Sequence, residues 1–140
     1  MVTVMGEEEK KRRSVGCFLS LFEDRMYLAI YVAKCEARPS FEVFNLLADG
    51  IPPFPHGLTF KGMGVNEVIL RAAREIGAED EAERLMDKVD EVLEELDRRG
   101  VRRSTKKIVE KLIELRHEVL DFFKRRGYEP LERKPDPVVC

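Results

Sequence analysis

The sequence predicts an α+β domain: a small antiparallel β-sheet packed with helices, closed by a long C-terminal antiparallel helical hairpin. Three observations lead there. Val15–Cys35 reads as two apolar runs, VGCFLSLF and MYLAIYVAKC, broken by the polar Glu23-Asp24-Arg25, which is a hairpin signature. Residues 80–126 carry apolar side chains at heptad spacing on two long segments joined by a short polar connection, the pattern of an antiparallel helix pair. The 140 residues suit one domain with its own core. Residues 1–13 read as a flexible arm of mixed charge, 14–128 as the domain with its helical hairpin at 80–126, and 129–140 as an extended, proline-bearing tail.

With Asp24-Arg25 as a two-residue turn, the register of the ribbon follows. Phe22 faces Tyr27, Ser20 faces Ala29 and Phe18 faces Tyr31, while Leu21, Leu28, Leu19 and Ile30 share the other pleat. One face is aliphatic and belongs to a core. The other sets Phe18, Phe22, Tyr27 and Tyr31 around small residues. After it, SFEVFNLLADG favours a short helix capped by Ser40, with Phe41, Phe44, Leu47 and Ala48 on one side and Gly50 ending it. The alternation of Phe41, Glu42 and Val43 leaves a third strand as the competing reading.

Residues 51–64, IPPFPHGLTFKGMG, hold three Pro and three Gly, which excludes a regular helix; Leu58-Thr59-Phe60 offers a short strand. Val65, Val68, Ile69, Ala72, Ala73 and Ile76 then mark one helical face ended by Gly77. Asp80, with Glu83 as capping-box partner, opens the next helix. Its stripe is Ala82, Leu85, Val89, Val92 and Leu96, and Gly100 ends it. Ser104 or Thr105 caps the last helix, which carries two stripes: Ile108, Leu112, Leu115, Val119, Phe122, and beside them Val109, Ile113, Leu120, Phe123. One neighbouring helix cannot cover both. The second stripe needs the sheet or a second protomer, which predicts a homodimer or higher oligomer.

Charged residues make up 37% of the chain, Gln is absent and Asn occurs twice, a profile of proteins from hot environments. The net charge of −2 conceals segregation, with eleven acids against two bases in Glu75–Asp97 and nine bases against four acids in Arg102–Arg126. Cys17 and Cys35 fall on opposite pleats of the ribbon, which argues against a mutual disulfide; an odd number of cysteines with no CxxC, Cys140 included, reads as buried or terminal free thiols in a reducing cell. His56 and His117 have no ligand spacing, so no metal is expected. No apolar run approaches ~18 residues and no signal peptide is evident, so the expected location is cytoplasmic. The GxG at Gly62–Gly64 lacks the rest of a nucleotide fingerprint. With no Ser/His/Asp or Cys/His arrangement and no HExxH, the chain reads as a non-enzyme.

Two functions remain open. In the first, the aromatic face stacks the bases of single-stranded nucleic acid while a basic rim neutralises phosphates. The rings are Phe18, Phe22, Tyr27 and Tyr31, with Phe54 or Phe60. The bases are Lys10, Lys11, Arg12, Arg13, Arg25, Lys34, Arg38 and Lys61. In the second, the aromatic face is core and the chain is an oligomerising protein-interaction module. A third candidate surface is the connection holding Arg98, Arg99, Arg102, Arg103, Lys106 and Lys107, either a solvated, self-repelling corner or a phosphate clamp. A small sheet bearing aromatics, bases at its edge and a C-terminal heptad helix resembles the ThermoDBP-related proteins of thermophilic archaea. The resemblance implies binding of single-stranded DNA or RNA, oligomerisation through the helices, and no metal or organic cofactor.

Overall fold

The computed structural model describes residues 6–36, 39–48 and 64–132. They form five helices: α1 (Glu7–Lys34), α2 (Ser40–Ala48), α3 (Val65–Glu75), α4 (Glu79–Arg99) and α5 (Lys106–Lys124). Helix accounts for 80% of them, with no β-strand among the described residues. The α+β prediction is therefore corrected to all-α. The sheet that carried the resemblance to ThermoDBP-related proteins is absent from the described residues. The possible strand at Leu58–Phe60 lies outside them.

The expected hairpin is a single helix, and its cause is visible in α1 itself. Val15, Leu19, Phe22, Met26, Ala29 and Ala33 recur at alternating spacings of four and three, and all are at most 2% exposed. A stretch this rich in apolar residues fits a period of two as well as one of 3.5. Two features favour the helix. Glu23-Asp24-Arg25 offers no Gly or Asn for a turn needing positive φ, and Leu, Met and Ala are strong helix formers. The supposed arm belongs to the same helix from Glu7 onward. There Glu7, Glu8 and Glu9 precede Lys11, Arg12 and Arg13 by four residues each, the favourable order for helix-surface charges. The acids also lie in the first turn, where the helix dipole favours them.

α1 packs against α2, α3 and α5, and α4 packs against the same three. The core joins Leu19, Phe22, Met26 and Ile30 to Val43, Leu47, Ile69, Leu96, Ile108, Leu112 and Phe123. α1 and α5 run antiparallel. Glu23 meets Arg116, and the N–H of Leu131, just beyond α5, donates to the carbonyl of Gly16 at 3.3 Å. Gly16 permits that approach, because a Cβ there would stand 2.8 Å from Leu131 Cδ2.

The reading of α3, α4 and α5 holds at the level of their buried faces. The stripe Ala82, Leu85, Val89, Val92, Leu96 is the buried face of α4. Thr105, rather than Ser104, caps α5, its hydroxyl accepting from the Ile108 N–H. The capping box at Asp80 does not form; Ala78 is the N-cap of α4 and makes no side-chain bond. Gly77 and Gly100 stop α3 and α4 at φ of 65° and 59°, angles that a side chain disfavours. The second stripe of α5 is covered in part within the chain: Val109 and Phe123 are buried, and Ile113 and Leu120 pack against the core. Val109 and Phe123 leave water without a second protomer, whereas Ile113 and Leu120 are half-buried.

Cys17 is a free thiol, as expected, though exposed rather than buried; Cys35 is disulfide-bonded, its partner lying outside the described residues. Cys17 and Cys35 are thus not bonded to one another, although the pleats expected to keep them apart do not form, and the expectation of free thiols throughout is corrected at Cys35. Among the described residues no helix is long and apolar enough to cross a membrane, and no three His, Cys, Asp or Glu side chains gather as a metal-ligand set.

Ion pairs Lys88–Glu118 and Lys111–Glu95 link α4 to α5. Lys111, and after it Arg99, hold the Glu95 carboxyl below the usual carboxylate range, against the opposing effect of burial. A carboxyl depressed in the folded state contributes stability that is present above its unfolded pKa and is lost as pH falls through the folded value. Glu95→Gln is therefore expected to destabilise the protein at neutral pH and to cost progressively less below the usual carboxylate range. Denaturant unfolding of both proteins at about pH 7 and about pH 3 checks this; an equal gap at the two values contradicts it.

Candidate nucleic-acid interface

The four predicted stacking rings do not share a face. At about 100° per residue, Phe18 and Phe22 lie on one side of α1, and Tyr27 and Tyr31 lie roughly opposite. Phe22 is fully buried and the other three are half-buried. A pleat would have aligned them; a helix separates them. Arg25 is likewise no rim residue. It is 3% exposed, and burial lowers the pKa of its guanidinium.

Lys10, Arg12 and Arg13 are exposed and Lys11 is half-buried. They occupy the N-terminal end of α1, about 30 Å along the helix from Lys34. Lys34 itself is exposed in the last turn. Arg38, Phe54, Phe60 and Lys61 fall outside the described residues. The predicted set is thus dispersed.

The structure gathers charge instead at the connection between α4 and α5. The bonds that build this corner are local. Gly100 turns the chain at the end of α4, and Thr105 restarts it as α5. Between them, the Arg102 carbonyl accepts from both the backbone N–H of Ser40 (2.8 Å) and its hydroxyl (3.0 Å). Pro39 and Arg103 form an isolated β-bridge. The start of α2 is therefore fixed against the start of α5. Ser40 serves this junction rather than its own helix.

Arg98, Arg102, Arg103, Lys106 and Lys107 are all exposed here. Among the described residues none of the five joins an ion pair. Arg99 differs, being half-buried and 3.2 Å from Glu95. The local electrostatics are unfavourable. The first turn of α5 holds no acid, unlike those of the other four helices, and Lys106 and Lys107 stand where a helix dipole disfavours cations. An anion placed there would relieve both the dipole and the mutual repulsion.

Apolar surface accompanies the charge. Phe41 is 44% exposed and Val101 79% exposed, two of the three large hydrophobic residues exposed among the described ones. α2 buries Ser40, Val43 and Leu47, not the Phe41-bearing face expected from the sequence, so the ring of Phe41 is exposed, one residue along the chain from the Ser40–Arg102 contact. The spacing of Ser40, Val43 and Leu47 was the signal for that rotation. The bases were evident from RRSTKK; Phe41 and Val101 as their neighbours were not. Comparison with protein-family models, with curated proteins and with solved structures finds no match.

Proposed function

We propose that the corner between α4 and α5 binds single-stranded nucleic acid. Arg98, Arg102, Arg103, Lys106 and Lys107 neutralise successive phosphates, and Phe41 stacks a base. The observation that carries this reading is the coincidence of five exposed bases, in no ion pair among the described residues, with an exposed aromatic ring next to the Ser40–Arg102 contact that ties α2 to the same connection. Aromatic rings with cationic flanks are what sequence-tolerant single-strand binding uses. The grouping replaces the dispersed rings of α1 as the stacking site. A second reading, an acidic protein partner, is favoured by Val101, which is aliphatic and would gain more from burial in an interface than from a base.

The test is fluorescence anisotropy with labelled oligo-dT and oligo-U. Arg102→Glu with Lys106→Glu is expected to abolish binding at moderate salt. Phe41→Ala is expected to weaken it by about 1–3 kcal/mol without changing its salt dependence, because stacking releases no counterions. Oligonucleotide binding untouched by the double charge reversal overturns the assignment of the site.

A further inference from the structure

The basic corner borders an acidic ridge on the same helix. Asp87, Glu91 and Glu94 follow one another at spacings of four and three along the outward side of α4, and Arg98 comes four residues after Glu94. All three carboxylates are exposed and, among the described residues, none is in an ion pair. They are not the interhelical pairs; Glu95 and Lys88 serve those. At 1.5 Å per residue, Glu94 lies about 6 Å and Glu91 about 10 Å along the helix from Arg98. At about 0.1 M salt, where the Debye length is about 10 Å, both stand within roughly one such length of Arg98, the near edge of the corner.

We propose that Glu91 and Glu94 determine the preference for single strands by repelling duplex. This rests on the reading of the corner as a single-strand site. A duplex carries one phosphate charge per about 1.7 Å, twice the linear density of one of its strands, and is stiff over about 150 base pairs. Seated on the corner by one strand, it brings its second strand within a groove width of that contact and cannot bend away from the ridge. A single strand is free to leave the corner in another direction. Attraction by five bases alone favours the denser polyanion; stacking on Phe41 works against that preference, and a repulsive element beside the contact strengthens the discrimination. Exposed carboxylates next to the contact supply it.

The experiment compares affinities for oligo-dT and for a duplex of equal length, at about 0.1 M salt, where the Debye length is about 10 Å, using the full chain. Glu91→Gln with Glu94→Gln is expected to raise duplex affinity roughly tenfold and single-strand affinity less than threefold, narrowing the ratio. Both substitutions are on an exposed helix face, so folding should be unaffected. The control is Glu81→Gln with Glu83→Gln, which removes the same charge from the far end of α4, beyond the Debye length; it is expected to leave the ratio unchanged. A ratio unchanged in the Glu91/Glu94 variant, with wild-type single-strand binding intact, overturns this inference and spares the site. An equal change in the control overturns it in favour of net charge. Absence of any wild-type binding overturns the site and this inference with it.

Discussion

Replacing Arg116 by methionine is expected to destabilise the protein by about 3–5 kcal/mol. The Glu23 carboxylate, in the middle of α1, accepts from Arg116 Nη2 of α5 at 2.9 Å, and their side chains are 0% and 5% exposed. Such a pair contributes little net stability, because desolvation offsets its attraction. Removing one partner is different, since the other charge stays buried and loses a charge-assisted hydrogen bond. Methionine keeps the length and the apolar stem, so the loss reports the charge and not a cavity. Glu23→Leu combined with Arg116→Met removes both charges and is expected to recover most of the stability. Urea unfolding of the two single variants and the double variant measures this. A double variant as unstable as Arg116→Met alone contradicts it.

Phe22→Ala is expected to cost about 3–5 kcal/mol, a large share of the stability of a domain this size. Phe22 is 0% exposed and lies within the continuous core. On a solvent-facing ribbon the same substitution would have weakened a ligand and left the fold alone, so the variant separates the two architectures. Tyr27 and Tyr31, half-buried on the other side of α1, should tolerate Ala at a smaller cost. Unfolding midpoints unchanged by Phe22→Ala contradict the helical assignment of α1.

The architecture was legible where polar residues separated the apolar ones. In α3 and α4, Glu, Asp, Arg and Lys fill the outer positions, so only the helical period fits, and the buried faces follow directly. In α1 almost every position from Val15 to Ala33 is apolar or small, and periodicity alone cannot distinguish the two structures. Glu23 and Arg25 then look like a turn because charged residues are rarely buried without partners. Here Glu23 is buried with a partner 93 positions away, a relation invisible to local reading. The disulfide at Cys35 was missed for another reason: an odd number of cysteines with no CxxC spacing reads as free thiols of a reducing compartment, and a bond between distant positions leaves no local signal. At the candidate interface the bases were legible as a charge run, whereas the exposure of Phe41 depends on which face α2 turns to α1 and α4.

The most direct test of the corner as a single-strand site is the salt dependence of oligonucleotide binding by the unmodified chain. Labelled oligo-dT is titrated at several salt concentrations and the logarithm of the affinity is plotted against that of salt. Five bases each neutralising a phosphate predict a slope of about −3.5, at ~0.7 per contact for a single strand, with duplex bound more weakly throughout. Absence of binding at low salt, or binding with a flat slope, contradicts that assignment.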